Sequence, residues 1–407
     1  MKRLSDLEKK QLGVIIQYYR NYYYRSNIKN KEQFKQVNFC KGICSQAQLS
    51  RLEHGDVLKD HNVYYALLDK LNLFYEKVSA KDYVEFESYF ENILMVLNDE
   101  HQVINYNEYL FVINKYHNTF KKNIIYTHYN YALEFIVAIL NDDVEEATCL
   151  LEEVENTLDI LKPKLLVITL YYLGLYYHLI KDYNQANKYY FLALENMDKE
   201  NINIPMVLVD LAYNNIRFGK YLYALNYLYQ AKELLDNSHR YVILTKIYQY
   251  YGLVYLYTKY YEDGINILNK ALEYSIKANK RYLILQVYCL LVVGHHLNGD
   301  KLEANNILLE VKEKYVDEEI ELISFIIKNS KEDSLINYHT KYFSLVQEFY
   351  LLPNNRDDYY ENNLEKILPH LPDSIYLLLI NEIYSIYKGN KKYKKVVDFL
   401  EKGIFLK

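Results

Sequence analysis

One spacing of small and large side chains recurs along the middle of this 407-residue chain and restricts its fold more than any other feature. The clearest copy consists of Leu173, Gly174, Tyr177, Tyr183, Ala186, Tyr190 and Ala193. Further copies begin at Leu211 and Tyr251, a weaker one begins at Leu291, and degenerate ones centre on Ala147 and on residues 393–400. Small residues let one helix approach the next, so the spacing predicts helix pairs. Only a neighbouring pair can cover the apolar face of each pair, so the pairs must stack into an array with a concave inner wall.

The composition agrees with an all-helical chain. Only 11 Gly and 5 Pro are present, whereas sheets joined by tight turns usually need more of both. Tyr occurs 49 times and Trp is absent. This usage suits thin layers of helices, because a Tyr ring fills space while its hydroxyl stays hydrated. The length exceeds that of one compact core, so we expect two or more folding units.

The sequence indicates a cytoplasmic protein without membrane contacts. The first 20 residues are charged and amphipathic and lack the apolar run of a signal peptide. The apolar runs at residues 165–180 and 282–297 are rich in Tyr and interrupted by Gly or His, so we expect buried helices there. The four cysteines form no CxxC pair, which is typical of a reducing compartment.

No motif typical of catalysis or of a metal site is present in the sequence. A glycine-rich phosphate loop, an HExxH motif and a spaced set of Cys and His are all missing. Cys40 and Cys44 have no matching Cys/His pair, so we expect them to pack around a turn. His295 and His296 have no third ligand, so we expect packed or surface histidines. We therefore expect no enzyme activity, no metal and no cofactor.

Charge is unevenly distributed along the chain. Residues 1–70 carry 13 Lys and Arg against 7 Asp and Glu, whereas the rest of the chain carries 35 against 46. A basic head on an acidic body fits a head that contacts phosphates and a body that does not.

Within this basic head, residues 45–54 have the pattern of a short helix with one apolar and one polar face. Ser45 is a good N-cap, because its hydroxyl can accept a hydrogen bond from a free amide of the first turn. Leu49 and Leu52 form the apolar face, and Gly55 supplies the stop. Gln pairs well with adenine, and Arg with guanine or phosphate. We predict that DNA is bound by Ser45, Gln46, Ala47, Gln48, Ser50 and Arg51. The alternative is that this helix is merely one amphipathic helix of a helical protein.

The head resembles the xenobiotic-response-element (Cro/repressor-like) helix-turn-helix over about residues 10–73. The resemblance rests on Leu12-Gly-Val-Ile-Ile, on Arg20, and on Gly42-Ile-Cys-Ser followed by Leu49-Ser-Arg-Leu-Glu-His-Gly55. Helical periodicity marks a first helix with Leu12, Ile15, Ile16 and Tyr19, and a fourth helix with Leu67, Leu68, Leu71 and Leu73. The connection after Arg20 is longer than usual, so either Phe34 or Phe39 is the core residue of the second helix.

The body resembles tetratricopeptide repeats, well over residues 125–310 and loosely over 335–405. Copies recur after about 38–40 residues instead of the usual 34, and the early Trp and the terminal Pro are missing. A concave wall of this kind suits an extended or helical peptide. Polar residues on the first helix of each pair can hold such a peptide through its backbone or its carboxyl end. We predict that the peptide is bound by Asn214, Asn215, Arg217, Lys246, Gln249 and Gln286. The alternative is that these residues are simply solvated.

The order of a Cro-like head and a degenerate tetratricopeptide body resembles the Rap/Rgg/NprR/PlcR/PrgX (RRNPP) group of quorum-sensing regulators. The resemblance implies an all-α fold: a five-helix DNA-binding domain at residues 1–73, linker helices at 74–122, and a right-handed α-solenoid at 123–407. It implies a homodimeric transcription regulator whose operator binding is controlled by a short signalling oligopeptide. The linker helices would carry the coupling between peptide and DNA.

Two functions of other classes remain open. One is a solenoid scaffold that binds a protein partner, with the head serving as an anchor. The other resembles the Rap phosphatases, which act on phosphorylated response regulators and share only the body, because their head is a helical bundle without a DNA-contacting helix.

Overall fold

The computed structural model describes residues 3–26, 30–98, 105–235, 240–328 and 338–395. Within these ranges the regular structure is helical, with an isolated bridge between Tyr75 and Asn123 instead of a strand. The predicted all-α class is therefore confirmed. The chain forms two compact units, Met1–Ile202 and Asn203–Lys407. The degenerate repeat predicted at residues 393–400 extends beyond the described part of the chain, which ends at residue 395.

The first unit begins with one long helix and several short ones packed around a small core. They are α1 (Asp6–Arg25), a 3-10 turn (Lys31–Phe34), α2 (Gln36–Phe39), α3 (Gln46–Glu53) and α4 (His61–Lys70). Most of the predicted apolar residues lie in this core, with Leu12, Ile15, Ile16, Leu49, Leu52, Leu67, Leu68 and Leu71 all buried, whereas the predicted Tyr19 and Leu73 are half-buried. These residues form the head of the first unit.

Two details of the head differ from the sequence prediction. The fourth helix ends at Lys70, because Asn72 takes a left-handed conformation with φ 55°, so Leu71 and Leu73 lie beyond the helix. Phe34 and Phe39 are not alternatives. Both rings are buried, with their centroids 6.3 Å apart, and together they form the part of the core beside α2.

The remainder of the first unit consists of longer helices that pack in sequence. They are α5 (Ala80–Asn98), α6 (Tyr106–Thr119), α7 (Ile124–Leu140), α8 (Val144–Asn156), a 3-10 turn (Leu158–Ile160), α9 (Pro163–Leu179) and α10 (Tyr183–Glu200). The pairs α7/α8 and α9/α10 pack along their lengths, as the repeat spacing predicts. The predicted linker helices, α5 and α6, pack against α9 and α7 respectively.

The second unit contains three regular helix pairs followed by a less regular end. The pairs are α11 (Pro205–Arg217) with α12 (Tyr221–Glu233), α13 (Tyr241–Tyr257) with α14 (Tyr261–Ala278), and α15 (Arg281–Asn298) with α16 (Lys301–Lys314). They are followed by α17 (Glu318–Lys328), α18 (Lys341–Leu351), α19 (Arg356–Tyr359), a π turn (Tyr360–Leu364), a 3-10 turn (Glu365–His370) and α20 (Asp373–Gly389). The last helix packs back on α15 and α17, so the end of this unit is not a further regular pair.

The small residues of the repeat lie where the two helices of a pair touch. A Cβ added to Gly174 on α9 would lie 2.4 Å from the ring of Tyr190 on α10. A Cβ on Gly252 of α13 would lie 2.6 Å from Leu268 on α14. The alanines predicted for the second helices, such as Ala186, are fully buried. The structure thus confirms the physical basis on which the helix pairs were predicted.

Candidate DNA-binding and peptide-binding sites

The start of α3 is fixed by a reciprocal pair of hydrogen bonds. The Ser45 hydroxyl accepts a hydrogen bond from the Gln48 amide at 3.1 Å, and the Gln48 side-chain oxygen accepts one from the Ser45 amide at 3.0 Å. This capping box satisfies two backbone groups that would otherwise lack partners. Both residues were predicted to contact DNA, and the structure shows that they also set the first turn of α3.

The two faces of α3 are those predicted from the sequence. Leu49 and Leu52 are fully buried against the head core. Gln46, Ala47, Gln48 and Arg51 are exposed, and Ser50 is half-buried. The helix ends at Glu53, and Gly55 follows with a φ of 86°. The outward face therefore presents amide, hydroxyl and guanidinium groups to solvent.

Arg51 has a partner on the same surface. Its Nε lies 2.8 Å from Oδ2 of Asp56, and the two side chains are 65% and 53% exposed. Ion pairs this exposed contribute about 0–1 kcal/mol. Arg51 can therefore leave Asp56 for a phosphate or a guanine edge at little cost in free energy. Its guanidinium is thus available to an anionic ligand.

A buried polar network holds α3 against α1. Arg20 on α1 donates from Nε to Glu53 at 2.5 Å and from Nη2 to the second carboxylate oxygen at 2.9 Å. Gln36 donates to the same carboxylate at 2.7 Å, and Arg20 also donates to the Phe34 carbonyl at 3.1 Å. Both charged side chains are almost completely buried. Arg20 and Glu53 both belong to the sequence resemblance, but their pairing was not predicted, because their positions alone give no sign of contact.

A close approach of the two backbones accompanies this network. A Cβ added to Gly13 on α1 would lie 2.3 Å from the carbonyl oxygen of Leu52 on α3. No side chain fits in that gap, so glycine is needed at this point. The orientation of α3 on α1 is therefore fixed both by the missing side chain and by the ion pair.

Helix α1 also joins the head to the repeats of the first unit. Gln11 donates from Nε2 to the Tyr129 hydroxyl at 2.8 Å and to the Ile160 carbonyl at 2.5 Å. The Tyr19 hydroxyl donates to Glu153 at 2.8 Å. The head is thus attached to the following helices by direct contacts of α1, in addition to the chain connection through α5 and α6.

A buried histidine lies beside this junction. The rings of Tyr18, Tyr19 and Tyr131 surround His128, with ring centroids 5.7–6.4 Å away. Burial lowers the pKa of His128 to about 3 and raises that of the Glu153 carboxyl. The imidazole is therefore neutral near pH 7, and it fills space in the junction without adding charge.

The predicted peptide-binding residues divide into buried and accessible groups. Gln286 is exposed and Lys246 is half-buried. Asn214, Asn215, Arg217 and Gln249 are buried, at 0%, 6%, 1% and 6% exposure. Asn215 donates to the Leu211 carbonyl of its own helix at 2.7 Å. Of the six, only Gln286 and Lys246 thus present a side chain to solvent, whereas the sequence predicted an open polar wall. Peptide binding at the six residues stays a prediction.

Arg217 is buried because a distant segment of the second unit covers it. Its Nη1 lies 3.0 Å from the carboxylate of Asp373 on α20, and its Nη2 donates to the Leu368 carbonyl at 3.3 Å. The guanidinium carbon lies 4.6 Å from the centre of the Tyr376 ring. The Tyr213 hydroxyl donates to the same Asp373 oxygen at 3.4 Å. Arg217 therefore anchors the first turn of α20 to the end of α11.

The fold of this chain is similar to the folds of proteins with solved structures. A Rap protein complexed with Competence and Sporulation Factor is similar to this chain, at 13% identity and a TM-score of 0.54. The similarity covers 80% of this chain and 97% of the Rap protein. The chain has the fold of this Rap protein. The predicted resemblance to the RRNPP group, to which Rap proteins belong, is thereby confirmed at the level of the fold.

Two further structures are similar at lower scores. PlcR of Bacillus thuringiensis, in complex with the peptide PapR7 and DNA, covers 78% of this chain and 96% of its own, at 15% identity and a TM-score of 0.36. Aspartyl phosphate phosphatase F of Bacillus subtilis covers 99% of this chain and 94% of its own, at 14% identity and a TM-score of 0.46. No protein-family profile and no curated protein sequence matches the chain.

Among the described residues, no helix is long and apolar enough to cross a membrane. Over the same residues, no three His, Cys, Asp or Glu side chains are grouped so that they could hold a metal ion. Cys40 is buried, with its sulfur 3.6 Å from the Val37 carbonyl.

Proposed function

We propose that this chain is a DNA-binding transcription regulator whose activity is controlled by a short peptide. One observation carries the DNA-binding part, namely the exposed polar face of α3, which the buried Arg20–Glu53 pair holds in one orientation. Gln46 can pair with an adenine edge, and Arg51 with guanine or a phosphate. The excess of Lys and Arg in residues 1–70 favours approach to a polyanion. Two such heads in a homodimer would contact successive major grooves of a near-palindromic operator.

Peptide control is supported by the fold of the body. The Rap protein with the same fold was solved in complex with Competence and Sporulation Factor. Stacked helix pairs offer a surface that suits a short peptide. Lys246 and Gln286, the accessible members of the predicted set, are the residues we propose to contact it first. In a synthetic-peptide binding assay with sequences encoded near the gene, the double variant Lys246→Ala/Gln286→Ala is expected to bind at least 10-fold more weakly.

Coupling between the two sites would run through α1. The head cannot turn relative to the repeats of the first unit without breaking the Gln11 and Tyr19 hydrogen bonds. A peptide that prefers one arrangement of the repeats would therefore change the population of head positions. In this proposal α1 carries the coupling, whereas the prediction from the sequence gave it to the linker helices at residues 74–122.

DNA binding is tested with the purified full chain and labelled DNA fragments from around its own gene. We expect one fragment to bind specifically, and the double variant Gln46→Ala/Arg51→Ala to lose that preference. Lys270→Ala is the matched control, because it removes one positive charge from an exposed position on α14, far along the sequence from the head. Circular dichroism of each variant shows whether the helices are intact.

The outcomes separate the proposal from its alternatives. Loss of specific binding in the double variant, with Lys270→Ala unchanged, supports a DNA-contacting α3. Equal binding by the wild type and the double variant overturns it. If selection from fragments of the whole genome, with and without cell-derived peptide, yields no bound fragment, a scaffold that binds a protein partner becomes the better account.

A second candidate is favoured by the Rap-protein fold over 80% of the chain. It is an action on a phosphorylated response regulator. Adding the full chain to such a regulator and measuring the rate of phosphate loss tests it. An accelerated loss supports this candidate, and an unchanged rate in the presence of intact DNA binding excludes it.

A further inference from the structure

A cleft of about 380 Å³ lies in the first unit between α1 of the head and the α8 region of the repeats. Its α1 wall consists of Val14, Gln17, Tyr18, Asn21, Tyr22, Arg25 and Ser26, and its other wall of Glu152, Asn156 and Asp159. Pockets of about 300–1,000 Å³ are typical of small-molecule sites. None of these residues belongs to the DNA-contacting face or to the predicted peptide site.

The charged groups of the cleft lack partners in the described part of the chain. The structure gives no ion pair or side-chain hydrogen bond for the carboxylates of Glu152 and Asp159, or for the guanidinium of Arg25. Two carboxylates against one guanidinium leave an excess of negative charge. Burial raises the pKa of the Tyr18 hydroxyl, and the nearby carboxylates of Glu153 and Glu152 raise it further. The cleft is therefore at negative potential.

Two aromatic rings add a second kind of cation recognition. The ring centroids of Tyr18 and Tyr22, one helical turn apart, are separated by 6.2 Å with an interplanar angle of 35°. The face of a Tyr ring attracts an ammonium or guanidinium group within about 6 Å. Carboxylates on one wall and Tyr rings on the other favour a ligand with a positive group, flanked by amides that can orient it.

We propose that this cleft binds a small amine or guanidinium ligand and braces α1 against α8. The carboxylates of Glu152 and Asp159 pair with the positive group, while the rings of Tyr18 and Tyr22 cover it. Arg25 and Asn21 are then available for an acceptor at the other end of the ligand. Because α1 also carries Arg20, which holds α3, ligand binding acts on the helix that orients the DNA-contacting face. The site is an effector site separate from the predicted peptide site.

The test is isothermal titration of the full chain with agmatine, which carries one amine and one guanidinium. Saturable binding at one site is expected, at least 10-fold weaker in Glu152→Gln/Asp159→Asn. The matched control is Glu145→Gln/Glu195→Gln, which removes two negative charges from exposed positions outside the cleft and is expected to bind normally. No saturable binding, or equal weakening in both double variants, overturns the proposal, because the latter means delocalised attraction by an acidic protein.

Replacements of Tyr22 test the aromatic part of the site separately from the charges. It is 47% exposed, so its replacement does not disturb the core. Tyr22→Phe keeps the ring and is expected to bind agmatine as the wild type does, whereas Tyr22→Leu is expected to bind about 2- to 5-fold more weakly. Equal affinity of the two variants contradicts the aromatic part of the site. Parallel titrations with acetyl-arginine amide show whether a peptide-borne guanidinium or a free amine is preferred.

Discussion

The guanidinium of Arg20 and the carboxylate of Glu53 form a two-point ion pair in the interior of the head, at 2.5 and 2.9 Å. One group belongs to the first helix and the other to the last residue of α3. Their pairing fixes how α3 leaves the head core, and with it the direction in which Gln46 and Arg51 point. The orientation of the face that we propose contacts DNA thus depends on two residues that are themselves buried.

Removing one member of this pair should damage the head more than removing both. Arg20→Met leaves the Glu53 carboxylate buried without its counter-charge, and we expect a loss of about 3–5 kcal/mol in the stability of the head. Glu53→Gln should have a similar effect through the unpaired guanidinium. The double variant Arg20→Met/Glu53→Gln should recover a large part of the loss. Hydrogen exchange of the α3 amides measures each change, and additive losses in the double variant would contradict a direct interaction.

Gly13→Ala should destabilise the head although alanine favours helices. The added Cβ would lie 2.3 Å from the Leu52 carbonyl, so α1 and α3 must separate, at a cost of about 1–3 kcal/mol. Gly389→Ala is the matched control, because a Cβ there meets no atom within 4 Å. It should leave stability unchanged or raise it by up to about 1 kcal/mol. Urea unfolding of both variants tests this, and equal midpoints would contradict the close approach.

The stability of the protein should depend on pH through the titration of Glu319 on α17. Burial, with a smaller contribution from the charges of Asp317 and Asp373, raises the pKa of this carboxyl to about 7, although hydrogen bonds from Ser374 and Cys289 act to lower it. A pKa raised on folding gives a stabilisation that is complete below about pH 4.5 and is lost as the pH rises through about 7. Glu319→Gln carries no titrating charge, so it should match the wild type at pH 5.

At pH 8 the Glu319→Gln variant should be the more stable by roughly 2 kcal/mol, after allowance for the partial exposure of the residue. Urea unfolding at the two pH values measures the difference. Glu313→Gln, at an exposed position on α16, is the control and should follow the wild type at both. A Glu319→Gln variant that is equally or less stable than the wild type at pH 8 would show that the carboxyl is solvated.

The parts of the fold that depend on local pattern were predictable from the sequence. Ser45 as N-cap and Leu49 with Leu52 as the buried face follow from spacing within one helix, and the structure has all three as predicted. The close helix pairing at Gly174 follows equally from the repeat. Such features depend only on residues within one helical turn or within one helix pair.

Contacts between distant segments were not predictable. Arg217 was expected on an open wall, but Asp373, 156 residues further along, covers it. Nothing in the spacing of the repeats specifies that α20 packs back on the first helices of the pairs. The cleft between α1 and α8 was likewise missed, because Tyr22 and Glu152 are brought together only by the docking of the head on the repeats of the first unit. In both cases the sequence shows which side chains are present, but it does not show which of them come into contact.

The most direct test of the central claim is a salt series of DNA affinity, by fluorescence anisotropy, for the wild type, Gln46→Ala and Arg51→Ala on one specific fragment. The logarithm of the binding constant should fall linearly with the logarithm of salt concentration. Arg51→Ala should reduce that slope by about one if the guanidinium contacts a phosphate, whereas Gln46→Ala should keep the slope and lose about 1–3 kcal/mol of base discrimination. Affinities and slopes unchanged in both variants would contradict the account, since α3 would then not be the helix that contacts DNA.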